Sequence, residues 1–246
     1  MGGAGLTTGA YVLDAGLVPY REALELQRSL AAAVSQRAIP ETIVLVEHPP
    51  VVTTGRRTEE EKELHIPDGA DVELVETDRG GKSTYHAPGQ LVCYPILDLK
   101  QHGKDVKQYV RDLEQSIVQT LAAFGLESTC IEGLTGVWMP PAGSRGPRKI
   151  ASIGVRVSRW VTTHGYALNV GLDPAPFTEW ITACGLDDAE FTTMARELGR
   201  PVTVDEVKPA ALAALAGVFG LELDELPADD GAGLWAQPVH EKLATR

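Results

Sequence analysis

Apolar residues recur at three- and four-residue steps in three stretches of the chain. Behind Pro19, Tyr20, Ala23, Leu24, Gln27, Ala31 and Val34 fall on one helical face, with only Gln27 out of character. Val106, Tyr109, Val110, Leu113, Ile117, Leu121 and Phe124 make the clearest helix, with Gly125 at the expected stop. Thr203 followed three residues later by Glu206 fits a capping box, with Val207, Ala211, Leu215 and Val218 as the stripe behind it. Elsewhere the period shortens to two or the runs become wholly apolar. Strands are predicted over 11–18, 42–46, 51–54, 90–99, 127–131 and 135–139. Two alternating runs, 149–158 and 162–170, meet at Arg159-Trp160 and predict a hairpin. Residues 55–70 are polar and are assigned no structure.

This mixture of strands and helices predicts an α+β fold. With 246 residues, no internal repeat and no strong linker, one domain is expected over 11–220, between a loose tail at 1–10 and a peripheral acidic tail at 221–246. No apolar run approaches the roughly 18 residues of a spanning helix. The N-terminus has neither the basic start nor the apolar core of a signal peptide. Three cysteines at 93, 130 and 184, without a CxxC pair, give neither a disulfide framework nor a zinc spacing, so the cytosol is the expected compartment. A net charge of −12 argues against nucleic acid or an anionic membrane as partner. The charge is unevenly spread. From Gly133 to Leu172 there is no Asp or Glu, yet Arg145, Arg148, Lys149, Arg156 and Arg159 fall inside, which suits an acidic protein or an anionic ligand.

Chemistry concentrates in Arg79-Gly-Gly-Lys-Ser-Thr-Tyr-His-Ala-Pro-Gly-Gln90. Adjacent glycines free the backbone to approach a ligand, and the flanking side chains supply donors. The run imitates a phosphate loop, but position 76 is Glu where that loop needs Gly, and Pro88 forbids the long helix that would follow. Lys149 shares its side of the first hairpin strand with Ala151, Ile153, Val155 and Val157, where desolvation would lower its pKa; the bland alternative is a lysine that reaches out to solvent at a strand end. His164 is placed in the same way beside Tyr166, Leu168 and Val170. Cys93 and Cys130 lie in β runs and read as structural. Cys184 lies outside them, directly before a glycine, where a thiol can be reactive; a buried structural cysteine is the alternative.

Together, the stretch 79–96, Lys149-Ile-Ala-Ser-Ile-Gly-Val-Arg-Val157, His164-Gly-Tyr-Ala-Leu-Asn-Val170 and Cys184-Gly-Leu186 resemble, in order and spacing, the lipoate-biosynthesis octanoyltransferase family, LipB. The resemblance spans roughly residues 10 to 220. It implies a single α+β domain of the biotin/lipoate protein ligase catalytic type, with a mixed sheet flanked by helices. The implied reaction moves an octanoyl group from octanoyl-acyl carrier protein to the lysine ε-amine of lipoyl domains, as in 2-oxoacid dehydrogenase complexes and the glycine cleavage H protein. Cys184 matches the acyl-accepting nucleophile and Lys149 the lysine that activates it. Substrate-pocket positions carry over to Arg79, Gly80, Gly81, Lys82, Ser83, Thr84, Tyr85 and His86, to Ser152, Ile153 and Gly154, and to His164, Gly165, Tyr166 and Ala167. Thioester aminolysis is downhill, so neither ATP, another cofactor nor a metal is expected, and a monomer is the expected state. An ATP-dependent ligase of the same fold and a non-catalytic acyl- or lipoyl-domain-binding module remain the alternatives.

Overall fold

Strands buried on both faces belong in the middle of a sheet, and two seven-residue strands of this kind, Glu41–Glu47 and Gln90–Ile96, set the architecture. The computed structural model describes residues 8–181 and 190–226; Cys184 and the tails at 1–7 and 227–246 lie outside the described residues. In chain order the elements are β1 (Thr8–Leu17), α1 (Tyr20–Ser35), β2 (Glu41–Glu47), β3 (Val51–Thr54), α2 (Glu60–Glu63), β4 (Glu73–Glu76), β5 (Thr84–His86) and β6 (Gln90–Ile96). There follow α3 (Val106–Ala123), β7 (Thr129–Ile131), β8 (Leu134–Met139), β9 (Arg148–Ser158), β10 (Val161–Asn169), α4 (Pro176–Glu179), β11 (Glu190–Phe191), α5 (Met194–Leu198), α6 (Val204–Phe219) and β12 (Leu221–Glu225).

The main sheet runs β12-β1-β2-β6-β10-β9-β8-β7, with β11 added in parallel to β9. It is mixed, since β1 pairs in parallel with β12 and β2 while β2, β6, β10, β9 and β8 pair antiparallel. A second sheet, β4-β3-β5, carries Thr84–His86 of the glycine stretch on β5. Alternation divides the core. Ile43, Leu45, Leu91 and Cys93 pack with α3 and α6 on one face, whereas Val44, Val46, Val92 and Tyr94 meet α1 on the other. The three periodic helices form where the pattern predicts them. Asp105 caps α3 through Lys107 N–H and Gln108 N–H, and Thr203 with Glu206 closes the reciprocal box at α6. Among the described residues no helix is long and apolar enough to cross a membrane.

Four expectations change. The domain limits at 11 and 220 cut through paired strands: Thr8 registers with Leu221 and Val12 with Glu225, so both ends extend the sheet. Hydrogen bonding to β1 draws Leu221–Glu225 in from the acidic tail. Within 55–70, the run Glu60–Glu63 forms one helical turn. Cys130 is exposed rather than structural, because β7 is the outermost strand. The hairpin turn is confirmed and tight, with both Arg159 (φ 52) and Trp160 (φ 73) left-handed, as a two-residue primed turn requires.

Gly165 shows how closely β6 and β10 must approach beneath the site. A Cβ there would stand 2.1 Å from Cys93 O and 2.8 Å from Pro95 Cδ, whereas one at Gly9 would meet nothing within 4 Å. Gly165→Ala is therefore expected to lower Tm by roughly 5–10 °C through overpacking, with Gly9→Ala near neutral. Calorimetry of the two variants checks this; equal melting would contradict it.

Candidate active site

Strand alternation alone would bury Lys149 beside Ala151. It does not, because the β8–β9 register shifts between Val137↔Ala151 and Trp138↔Lys149. Two residues of β9 advance against one of β8, and the consecutive Ile150 and Ala151 both enter the core. Lys149 is thereby re-aimed. The residue is 6% exposed, so it does not run out to solvent; Nζ donates to Thr135 O at 3.1 Å and stands 5.1 Å from the Trp138 ring centre. Gly136 makes room for it, since a Cβ there would lie 2.8 Å from Lys149 Cε.

Registered pairing between β8 and β9 ends at Val137↔Ala151. Further along β9, Gly80 N–H donates to Val155 O at 2.9 Å instead, so the glycine stretch takes over where β8 leaves off. Arg79 pins that stretch from within: Nη1 donates to Gly80 O (3.1 Å) and Lys82 O (2.6 Å), and Nη2 to Thr53 O and Oγ1 (both 2.8 Å). At Gly55 a Cβ would collide with Gly81 O at 2.5 Å, which ties the β3 end to the same bend. Lys82 is paired with Glu63.

A cavity of about 490 Å³ opens between these parts. Its wall includes Lys149, the glycine stretch at Arg79, Gly80, Gly81, Lys82, Ser83, Thr84 and His86, the β9 residues Ser152, Ile153 and Gly154, and His164, Gly165, Tyr166 and Ala167 of β10. Of the sequence-predicted pocket residues, only Tyr85 is off the wall. Its ring sits edge-on to Phe177 (5.7 Å) and Trp180 (5.5 Å). The sequence reading passed over Tyr20, Tyr94, Val110, Leu134, Thr135 and Trp138, which also line it. Tyr20 and Val110 stand at helical core positions and Tyr94 in a fully apolar run, so periodicity alone marks them as packing.

A buried polar cluster closes the α1 side. His48 Nδ1–H donates to Val18 O (2.7 Å), and Nε2 meets Tyr94 Oη (2.8 Å). His86 Nδ1–H donates to Gln90 Oε1 (2.7 Å), and its ring stacks on Tyr20 at 5.7 Å. His164 takes a left-handed φ of 57, which turns it away from Tyr166, Leu168 and Val170 and toward α1. There Nε2–H donates to Asp78 Oδ1 (3.0 Å), Nδ1 meets Tyr20 Oη (3.4 Å), and the backbone N–H donates to Gln27 Oε1 (2.7 Å). This explains the out-of-character Gln27. Burial pushes His48 down to about 4 and His86 to about 3; His164 is also lowered by burial, against the pull of Asp78.

The basic tract is less open than its sequence suggests. Arg148 is buried and pairs doubly with Glu197 (2.9 and 3.0 Å), and Arg156 pairs with Asp78 (2.7 Å), which leaves Arg145 and Arg159 exposed. Burial with two fixed carboxylate bonds removes Arg148 from any docking surface.

Cys184 lies outside the described residues, but the chain on either side of it meets the cavity at Ile181 and Phe191. Phe191 stands in parallel register with Lys149, and Thr192 N–H donates to Lys149 O at 2.9 Å. From Thr192 O a chain of bonds runs through Asn169 (3.1 Å) and Gln90 (2.9 Å) to His86. The return strand, Lys149 and the glycine stretch are thus held by one network.

A mixed sheet with helices on both faces, a glycine stretch over a strand edge and a buried lysine on the cavity wall define a catalytic domain of the lipoate ligase type. Residues 19–216 match the model of the lipoyl protein ligase A/B catalytic domain. An octanoyltransferase of Mycobacterium tuberculosis is 50% identical over 210 residues, covering 85% of this chain and 86% of that protein. One from Mycobacterium marinum is 46% identical over 218 residues, covering 87% and 89%. The solved bipartite lipoate protein ligase of Thermoplasma acidophilum shares the fold, with a TM-score of 0.69 at 16% identity over 94% of this chain and 91% of that one. This chain belongs to the octanoyltransferase family of protein lipoylation and is an acyltransferase.

The two depressed histidines give the fold an acid limit. Their neutral forms contribute stability in full above an unfolded pKa of about 6.5, and that contribution is lost as pH falls toward about 4 for His48 and 3 for His86. Each should cost about 1.4 kcal/mol per pH unit in that window. Urea unfolding at pH 7.5 and 5.0 should show the loss, and the double variant His48→Gln/His86→Gln should flatten it. A protein equally stable at both pH values would contradict this.

Proposed function

We propose that this acyltransferase moves an octanoyl group from octanoyl-acyl carrier protein to the lysine ε-amine of lipoyl domains, through a thioester on Cys184. The observation that carries the reading is the parallel pairing of Phe191 with Lys149, which returns the chain from the Cys184 segment directly to the buried lysine on the cavity wall. In the first step Lys149 takes the Cys184 thiol proton; the sulfur attacks the donor thioester carbonyl, and the carrier's thiolate leaves with that proton. In the second step the target amine attacks the Cys184 thioester, an amide forms, and the thiol is restored. Energy comes from the thioester, so the scheme calls for neither ATP nor a metal.

The cavity supports this in size and lining. About 490 Å³ exceeds what eight carbons fill, which leaves space for the arm that brings or receives the acyl group. Val110, Leu134, Trp138 and Ile153 give an apolar wall for the chain, and the glycine stretch gives backbone donors near the reacting carbonyl. Arg57, exposed and on the wall, with the exposed Arg145 and Arg159, suits acidic carrier and lipoyl domains.

Transfer from octanoyl-carrier protein to an apo lipoyl domain should proceed without ATP. Cys184→Ala and Lys149→Ala should each slow it by roughly 10³-fold or more. Transfer by Cys184→Ala at the parent rate, or a requirement for ATP and free octanoate, would instead make the protein a ligase.

A further inference from the structure

β8 and the glycine stretch share one edge of β9, yet they do not meet along it. Registered pairing with β8 ends at Ala151, and the glycine stretch next touches that edge at Val155, where Gly80 N–H donates to the carbonyl at 2.9 Å. Ile153 stands between them. Its other edge registers with Tyr166 of β10, but on this side it has no register partner among the described residues. In a strand the N–H and C=O of one residue face the same edge, and those of the next residue face the other. Because the Val155 carbonyl faces the glycine stretch, the N–H and C=O of Ile153 face the same gap.

Both ends of the gap are built. Continued register would bring Thr135 opposite Ile153, but the Thr135 carbonyl accepts from Lys149 Nζ (3.1 Å). The intervening Gly136 has a φ of 121 and donates its N–H to Glu114 Oε1 (3.0 Å), which draws β8 away from β9. At the far end, a Cβ on Gly154 would stand 3.0 Å from Gly80 O and 3.1 Å from Arg79 Cδ, so the glycine stretch lies across the strand there. The gap is one residue long, with one donor and one acceptor. Ser152, Ile153 and Gly154 all line the cavity that Lys149 lines.

We infer that this gap holds one secondary amide of the acyl donor, the one nearest the thioester in the carrier's pantetheine arm, paired as a one-residue strand. The inference rests on the acyl-enzyme reading above. In such an arm two methylenes separate the sulfur from an amide N–H. The gap begins beside the proposed base, since Lys149 Nζ and Ala151 O lie 3.3 and 2.6 Å from where a Cβ on Gly136 would stand. Ile153 follows two residues on, roughly 7 Å along the strand, so a sulfur held at Lys149 lays its first amide along the gap. The arm's N–H donates to Ile153 O, and its carbonyl accepts from Ile153 N–H. The acceptor does not fit in this way, because a lysine amine is followed by four methylenes with no polar group among them. A peptide strand would need a longer edge than the one residue that β8 and the glycine stretch leave open. The site therefore reads the donor's arm as well as its acyl chain.

Two small donors test this: octanoyl-S-N-acetylcysteamine, and its analogue with an ester oxygen in place of the amide N–H, each corrected for its uncatalysed reaction with a simple amine. For loading onto the parent enzyme, kcat/KM is expected to be about 10–100-fold lower with the ester, whose oxygen meets Ile153 O without a proton between them. A second measurement reads the strand itself. In Cys184→Ala with isotope-labelled isoleucine amides, and with Ile153→Val to assign the signal, hydrogen exchange at Ile153 should slow by about tenfold or more when the amide donor is added. S-ethyl thiooctanoate, which has no amide, should leave it unchanged. Equal loading by the two donors would overturn the inference, as would Ile153 exchange that is the same with and without the amide donor. If octanoyl-carrier protein loads and neither small donor does, the exchange measurement decides. Failure of the parent to load from octanoyl-carrier protein would overturn the acyl-enzyme reading and this inference with it.

Discussion

In an antiparallel hairpin every side chain must alternate between the two faces, and the β9–β10 pair obeys that rule except at two places. At one, the register shift against β8 sends both Ile150 and Ala151 into the core and turns Lys149 to the cavity. At the other, the left-handed backbone of His164 turns its ring from the core to α1. Both departures disfavour ordinary strand geometry, and the packed sheet around them holds them in place. Without them both side chains would point into the hydrophobic layer with α3 and α6, and neither would reach the cavity wall.

The surrounding structure fixes these two residues from several directions. Gly136 leaves the space through which Lys149 extends, and Trp138 and the Thr135 carbonyl bound its end. Gln27, a lone polar residue on an apolar helix face, receives the His164 backbone N–H that the distorted strand exposes. Arg79 spends its hydrogen bonds holding the glycine stretch in shape, so the stretch can replace β8 against Val155 with its backbone facing the cavity. A polar network runs from His86 to the backbone of Lys149, and it couples the glycine stretch to the strand that returns from Cys184.

Much of this was legible in the sequence. The helices at 20–35, 106–123 and 204–219 follow from their periodicity and caps, and the hairpin from its two alternating runs. The glycine stretch stood out by its two glycines and many donors, and it lines the cavity. Periodicity could not read the two re-aimed residues, since a bulge and a positive φ cancel the alternation on which such reading depends. Nor could it separate Tyr20 or Val110 from core, because a cavity wall and a core share the same apolar spacing. The acid-free tract misled for a related reason: Arg148 and Arg156 find Glu197 and Asp78, distant in sequence, and are neutralised in the fold.

The central claim is that the lysine on the cavity wall serves a thioester on Cys184. It is tested most directly by incubating the protein with octanoyl-acyl carrier protein, without ATP or acceptor, and mapping the modified peptide by mass spectrometry. The account predicts one octanoyl group on the peptide that contains Cys184, labile to hydroxylamine and absent from Lys149→Ala on the same time scale. An octanoyl group on any other residue, or none until ATP and free octanoate are added, would contradict it.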